Sequence, residues 1–103
     1  MTSPQPDRRR LKRIAHHLDP VVMVGERGVS EAVVAETQRA LADHELIKVR
    51  IQSGNRGTRE AMARALAQAC DAEVLHRVGK VAVLFRKNAE PNHRLSNLTR
   101  FGE

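Results

Sequence analysis

The feature that most constrains this chain is the segment Val21-Val22-Met23-Val24-Gly25-Glu26-Arg27-Gly28-Val29-Ser30-Glu31. Four consecutive apolar residues predict a short strand, and Gly25 and Gly28 allow a tight turn because neither carries a Cβ atom. Ser30 is a preferred N-cap residue, so a helix is predicted to begin there. The free N–H groups and the positive dipole end of such a helix favour an anion. The segment therefore predicts a strand–turn–helix unit with an anion site at the turn.

The charge of the chain indicates a polyanionic partner. The 103 residues include 18 Lys and Arg against 12 Asp and Glu, a net charge of +6. Residues 31–45 hold four acidic residues and one arginine, a net charge of −3, which leaves +9 for the remainder. Charge segregated in this way predicts one basic face and one acidic face. The anion that we expect at the turn is a nucleic-acid phosphate.

Three helices are predicted from apolar residues at helical spacing. The first runs from Arg8 to about Leu18 and is stopped by Pro20. The second runs from about Glu31 to Asp43. The third is predicted from an N-cap at Thr58 to about Cys70. Its predicted buried stripe consists of Ala61, Met62, Ala65, Leu66 and Ala69.

Four strands complete the predicted order α-β-α-β-α-β-β. Residues 21–24 are all apolar, which favours a strand covered on both faces. In residues 46–51 polar and apolar residues alternate, so that Lys48 and Arg50 share one face of the sheet. Residues 73–78 and 80–85 predict an antiparallel hairpin around Gly79-Lys80, with Val81, Val83 and Phe85 facing the core.

These elements predict a compact α/β domain over residues 8–87, built on a four-stranded mixed sheet whose strand–helix–strand units are right-handed. Residues 1–7 are expected to be disordered, and residues 88–103, with little apolar content, to form a flexible tail. The exposed face of the second strand predicts that part of one sheet surface stays open.

Three blocks of the sequence, residues 15–30, 41–51 and 78–86, resemble in order the CRM domain, the chloroplast RNA splicing and ribosome maturation family. The resemblance covers roughly residues 8–87. It implies an RNA-binding module whose fold is similar to the C-terminal domain of translation initiation factor three. The stand-alone bacterial members of the family are associated with assembly of the large ribosomal subunit, so the implied partner is large-subunit rRNA or a pre-50S particle.

The resemblance also implies which residues contact RNA. The family's G-x-x-G loop, similar to the backbone clamp of KH domains, maps onto Gly25-Glu26-Arg27-Gly28. Its basic second strand maps onto Lys48 and Arg50, and its basic residue at the hairpin end maps onto Arg86. Glu26 departs from the pattern, because a carboxylate in the loop repels phosphate unless it points away or pairs with Arg27.

Further basic residues extend this predicted surface. Five cations lie between Arg8 and Arg13, Arg56 and Arg59 flank a loop-to-helix junction, and Lys80 lies at a hairpin tip. Each also has a simpler interpretation as a solvated surface charge. The full predicted RNA-binding set is Gly25, Glu26, Arg27, Gly28, Ser30, Arg9, Arg10, Lys12, Arg13, Lys48, Arg50, Arg56, Arg59, Lys80 and Arg86.

The sequence offers little for other functions. The five histidines lack ligand spacing and Cys70 is the single cysteine, so we expect no metal, cofactor or disulfide. No arrangement of nucleophile and base stands out, so we expect no enzyme activity and no small-molecule substrate. No secretory signal and no apolar run of about 20 residues occurs, which predicts a cytoplasmic protein without membrane contact. We expect a monomer.

Two alternatives to RNA binding remain open at this point. A protein–protein adaptor would use the acidic helix of residues 31–45, with the basic face incidental. A double-stranded DNA binder would need a helix that presents cations to the major groove. The second helix is net acidic and the third carries only Arg59 and Arg64, so DNA binding has the least support.

Overall fold

Eight elements follow one another in the computed structural model, which describes residues 7–52 and 54–101. The helices are α1 (Arg8–His16), α2 (Glu31–His44), α3 (Arg56–Ala69) and α4 (Asn97–Phe101). The strands are β1 (Pro20–Val24), β2 (Leu46–Ile51), β3 (Glu73–Val78) and β4 (Val81–Phe85). The predicted α/β class and the order of the first seven elements are confirmed.

The predicted disordered N-terminus falls outside the described residues except at Asp7. Its side chain accepts a hydrogen bond of 3.0 Å from the Arg9 N–H and caps α1. An N-cap of this kind satisfies one of the N–H groups that a helix start leaves unpaired.

The four strands form one mixed sheet in the order β1-β2-β4-β3. The β1–β2 pair is parallel, while β4 runs antiparallel to both β2 and β3. The ends of β1, β2 and β3 and the start of β4 therefore lie along one edge, which we name the loop edge. It carries the Gly25–Gly28 turn, residues 52 and 54–55, and the Gly79-Lys80 turn.

Two backbone hydrogen bonds tie these turns together. The Gln52 N–H donates to the Val24 carbonyl at 2.9 Å, and the Ile51 N–H donates to the Lys80 carbonyl at 2.7 Å. Segments distant in sequence thus meet at the loop edge because their strands are neighbours.

One sheet face is covered by α2 and α3. Ile47, Val49 and Ile51 of β2 are buried there with Leu41 of α2 and Leu66 of α3. The predicted alternation of β2 is confirmed, because Lys48 and Arg50 take the opposite face.

The second face is covered only in part. Leu11 and Ile14 of α1 pack against Leu46, Val83 and Phe85, and Leu98 of α4 joins them. With nine residues, α1 is about 14 Å long, too short to cover the whole face.

The uncovered half of this second face contradicts the predicted burial of β1. Val21 and Met23 are 49% and 54% exposed, whereas Val22 and Val24 are buried. The prediction that β1 is covered on both faces is therefore wrong. No described helix covers Met23 in the loop-edge half of the second face. Val21, at the other end of β1, borders an open cavity beside His17 and Asn97. Val83 and Phe85 are buried as predicted, while Val81 is half-buried.

The start and the buried stripe of α3 also differ from the prediction. Asn55 is the N-cap, because its side chain accepts a hydrogen bond of 2.9 Å from the Thr58 N–H. Ala63, Leu66 and Ala67 are the buried residues of α3, and Ala61, Ala65 and Ala69 are exposed. Alanine carries a weak hydrophobic signal at every position, so the packing of Leu66 decides which alanines turn inward.

The segment after β4 differs from the predicted flexible tail. It contains α4, and the side chains of Ser96 and Asn97 are buried. The Ser96 hydroxyl donates to the Glu45 carboxylate at 2.7 Å, and the Asn97 side-chain amide donates to the Leu46 carbonyl at 2.6 Å. Polar anchors hold this segment, so a search for apolar periodicity does not detect it.

Candidate nucleic-acid interface

The Gly25–Gly28 turn is closed by its own backbone. The Gly28 N–H donates to the Gly25 carbonyl at 3.0 Å, and the Ser30 N–H donates to the Gly28 carbonyl at 3.0 Å. Gly28 has a φ of +71°, a conformation that side chains disfavour, whereas a Cβ on Gly25 would meet no atom within 4 Å. The turn itself therefore requires glycine only at Gly28, since a Cβ at position 25 would meet open space.

Helix α2 begins where the sequence predicts. The Ser30 hydroxyl accepts a hydrogen bond of 3.2 Å from the Val33 N–H, which confirms Ser30 as the N-cap. The 14-residue helix directs the positive end of its dipole to the loop edge. Glu31 in the first turn contributes one opposing negative charge.

Glu26 and Arg27 are exposed at the tip of the turn. Within residues 7–52 and 54–101, neither side chain takes part in a hydrogen bond or ion pair. Glu26 thus does not pair with Arg27, and the Arg27 guanidinium remains available for a phosphate.

Three arginines converge beside the hairpin turn. Arg56 and Arg59 from the first turns of α3 and Arg77 from β3 line a cavity of about 400 Å³, with Gly79 at its border. The Arg59 Nη1 donates to the Gly54 carbonyl at 2.6 Å, while its buried Nε–H has no partner in the described part of the chain. The arrangement concentrates positive charge at the loop edge and leaves one donor unused.

Arg77 was missed by the sequence analysis. It pairs in register with Ala82, which faces the α2–α3 core, and its guanidinium lies 3.8 Å from the Glu60 carboxylate. The sequence does contain a signal for Arg77, because the alternation of β3 places this arginine at a core-facing position of an edge strand. The role of Arg77 becomes visible only beside Arg56 and Arg59, and only the fold brings these residues together.

Lys48 and Arg50 lie on the open half of the second sheet face. Arg50 pairs in register with Met23 on β1 and with Val81 on β4, and it is exposed. Lys48 lies next to Lys12 of α1 around a groove on this face. Of these three cations Arg50 lies nearest the loop edge, and their contact with RNA stays a prediction.

The basic cluster of α1 is divided by its contacts. Arg8 forms an ion pair of 2.8 Å with Glu73, and Arg10 donates to the Leu98 carbonyl at 3.5 Å. Arg9, Lys12 and Arg13 are exposed. Arg8 and Arg10 therefore serve in part to hold α1 against β3 and α4.

Arg86 stands apart from the rest of the predicted set. It follows β4 at the end of the sheet opposite the loop edge and is half-buried. Its guanidinium donates to the Gln38 side-chain oxygen at 2.9 Å, the Cys70 carbonyl at 3.1 Å and the Asn88 side-chain oxygen at 3.3 Å. These hydrogen bonds join α2, α3 and the segment after β4, and the contact of Arg86 with RNA stays a prediction.

The sequence predicts no catalytic or metal chemistry for the single cysteine and the possible metal ligands. Burial raises the pKa of the Cys70 thiol, and the positive charge of Arg86 partly opposes that rise, so the thiol is a poor nucleophile. Over residues 7–52 and 54–101, no group of three or more His, Cys, Asp or Glu side chains is arranged to hold a metal ion. None of the described helices has the length and apolar character that crossing a membrane demands.

Comparison with known proteins identifies similar chains. The family model of the CRS1 / YhbY (CRM) domain matches residues 4–86. A Pseudomonas aeruginosa protein named a probable RNA-binding protein is 43% identical over 101 residues, which cover 98% of this chain and 97% of the relative. A Haemophilus influenzae protein named an RNA-binding protein is 40% identical over 85 residues, covering 82% and 86% of the two chains.

A solved structure has the same architecture. The solution structure of a Staphylococcus aureus protein, described as a candidate RNA-binding protein, matches with a TM-score of 0.73 at 29% identity. The match covers 81% of this chain and 86% of the other.

Proposed function

The chain belongs to the CRS1 / YhbY (CRM) domain family, and from this premise we propose that it is a non-catalytic RNA-binding protein of large ribosomal subunit assembly. The observation that carries the proposal is the convergence of three turns at the loop edge, together with the exposed cations Arg27, Arg56 and Lys80. The RNA-binding names of the relatives add support, as does the excess of positive charge outside residues 31–45.

The loop edge would hold RNA through its phosphates. The first turn of α2 supplies N–H groups, and Arg27 supplies a guanidinium that has no partner within residues 7–52 and 54–101. Lys80 and the Arg56–Arg59–Arg77 cluster extend the positive surface along the same edge. Such contacts position a protein on RNA and carry little sequence information.

The proposed target is structured RNA of large-subunit precursors. The surface carries spaced cations, and the chain has no Trp or Tyr. This favours recognition of the shape of the RNA backbone over the stacking of several successive unpaired bases on aromatic side chains. Such a protein acts where ribosomes are assembled, so a cytoplasmic location and a monomeric state belong to the proposal.

The charge reversal Arg27→Glu tests the loop. It is expected to raise the Kd for a structured fragment of large-subunit rRNA about tenfold, because one phosphate contact becomes a repulsion. Arg39→Glu is the matched control, since Arg39 is exposed on α2 between Glu36 and Asp43, away from the loop edge. The measurement is fluorescence anisotropy at fixed salt, with circular dichroism to verify folding.

Wild-type affinity in the Arg27→Glu protein would overturn the role of the loop. The assembly role has a separate test, which is sedimentation of cell lysate at low salt followed by detection of the protein. Co-migration with large-subunit precursors that is lost on RNase treatment is expected. A protein that instead remains with protein partners after nuclease treatment would favour the adaptor that uses α2.

A further inference from the structure

The open half of the second sheet face contains a groove that phosphate binding at the loop edge does not use. The groove has a volume of about 320 Å³ and lies between α1 and the β3–β4 hairpin. Its floor is formed by Val78, Val81 and Val83. Val78 is 62% exposed, an unfavourable position for a large apolar side chain that has no contact to make.

The sheet register makes this surface continuous. Met23, Arg50, Val81 and Val78 are successive partners across all four strands and form one row. Lys48, Val83 and His76 form the next row, farther from the loop edge. Apolar side chains and cations thus share one continuous surface.

The rim of the groove has a distinct chemistry. Lys12 and His16 of α1 face Lys48 of β2 and His76 of β3 across the floor. Among the residues that the structure describes, no carboxylate lines the groove. An occupant that matches it has a flat or apolar part for the valines and a negative charge for the lysines.

A single nucleotide has both parts. The volume lies near the lower end of the range of about 300–1,000 Å³ for small-ligand sites, which suits one nucleotide and is too small for a duplex. In a chain without Trp or Tyr, and with Phe85 buried, the rings of His16 and His76 are the aromatic faces available for stacking here.

We propose that this groove receives one unpaired nucleotide of the bound RNA, with its base on the valine floor and its phosphate toward Lys12 and Lys48. The inference rests on the proposed RNA-binding function and adds to it. Val78 and Val81 of the groove floor flank the Gly79-Lys80 turn, so the groove borders the loop edge. A bulged nucleotide in a structured RNA would then reach the groove while its neighbours contact the loop.

Two RNA hairpins that differ by one bulged nucleotide test the proposal. Wild-type protein is expected to bind the bulged hairpin about tenfold more tightly than the fully paired one, because stacking and burial of one base is gained. Val78→Glu places a carboxylate in the groove and should abolish this preference. Because Val78 also lines the three-arginine cavity, the readout is the ratio of the two affinities and not either affinity alone.

Val21→Glu is the matched control. Val21 is an exposed valine, 49% accessible, that does not line the groove, so the same charge change there should preserve the bulge preference. A second measurement uses the wild-type protein with a photoreactive 4-thiouridine at the bulge. Crosslinks are expected on the peptide that contains Val81 and Val83.

The outcomes are distinguishable. Equal affinity of the wild-type protein for the two hairpins, or crosslinks confined to residues 25–30, would overturn the groove and leave the proposed function standing. Failure to bind either hairpin would instead count against RNA binding itself, and with it the groove. A bulge preference that Val78→Glu abolishes and Val21→Glu retains would establish the site.

Discussion

Gly25 and Gly28 lie at the two ends of one turn for different physical reasons. At Gly28 the positive φ of +71° disfavours any side chain, although the nearest atom to a Cβ there, the Met62 methyl carbon, is at an ordinary 3.7 Å. At Gly25 neither conformation nor space demands glycine. Close approach of a ligand to the backbone would explain why position 25 is a glycine.

This difference predicts opposite outcomes for two alanine substitutions. Gly28→Ala should lower the free energy of unfolding by about 1–2 kcal/mol, the cost of a left-handed residue with a side chain. Gly25→Ala should change it by less than about 0.5 kcal/mol and yet weaken RNA binding severalfold. Urea unfolding and RNA titration measure the two effects. Unchanged affinity in Gly25→Ala would show that no phosphate contacts that backbone.

At the scale of elements, the segment after β4 is held by a buried carboxylate. Glu45 caps the end of α2 with a φ of +63° and is 3% exposed. Its two oxygens accept hydrogen bonds from the Ser96 hydroxyl at 2.7 Å and from the Asn88 N–H at 2.6 Å. The carboxylate thereby joins α2 to the chain that leads into α4.

Removal of this carboxylate should loosen that segment. Glu45→Ala leaves the Ser96 and Asn88 donors without their acceptor and is expected to cost about 2 kcal/mol of stability. The melting temperature should fall by roughly 8–16 °C. Glu36→Ala is the control, because Glu36 is exposed on the same helix. Hydrogen exchange should accelerate first in residues 86–101; slow exchange there in Glu45→Ala would contradict the anchor.

On the scale of the whole molecule, the two ends of the sheet differ in the role of their basic residues. The loop edge carries Arg27, Lys80 and the three-arginine cavity, whereas the opposite end uses Arg86 to join helices. The exposed acidic residues of α2 lie on the outer side of the helix that covers the first face. RNA is therefore expected to approach from the loop edge and the open half of the second face.

The salt dependence of binding reports how many phosphates this edge neutralises. Contacts with about four phosphates would make the slope of log K against log salt concentration about −2.8 to −3.6. Lys80→Gln should reduce the magnitude of the slope by about 1, and Arg39→Gln should leave it unchanged. Equal slopes for all three proteins would place the phosphate contacts elsewhere.

The sequence alone determined what depends on neighbouring residues. The periodicity of apolar side chains predicted the order of seven elements and the alternation of β2, and the local preferences of glycine and serine predicted the turn and the N-cap at Ser30. These features follow from backbone conformation and short-range hydrogen bonds, which a few adjacent residues specify.

Only the tertiary structure decided which residues meet. It brought Arg77 beside Arg56 and Arg59, turned Arg86 inward to acceptors on Gln38, 48 positions away, and joined Ser96 to Glu45 across 51 positions. It also left the loop-edge half of one sheet face uncovered, because α1 is short. Such contacts depend on strand order and helix placement, and no local pattern of charge or hydrophobicity encodes them by itself.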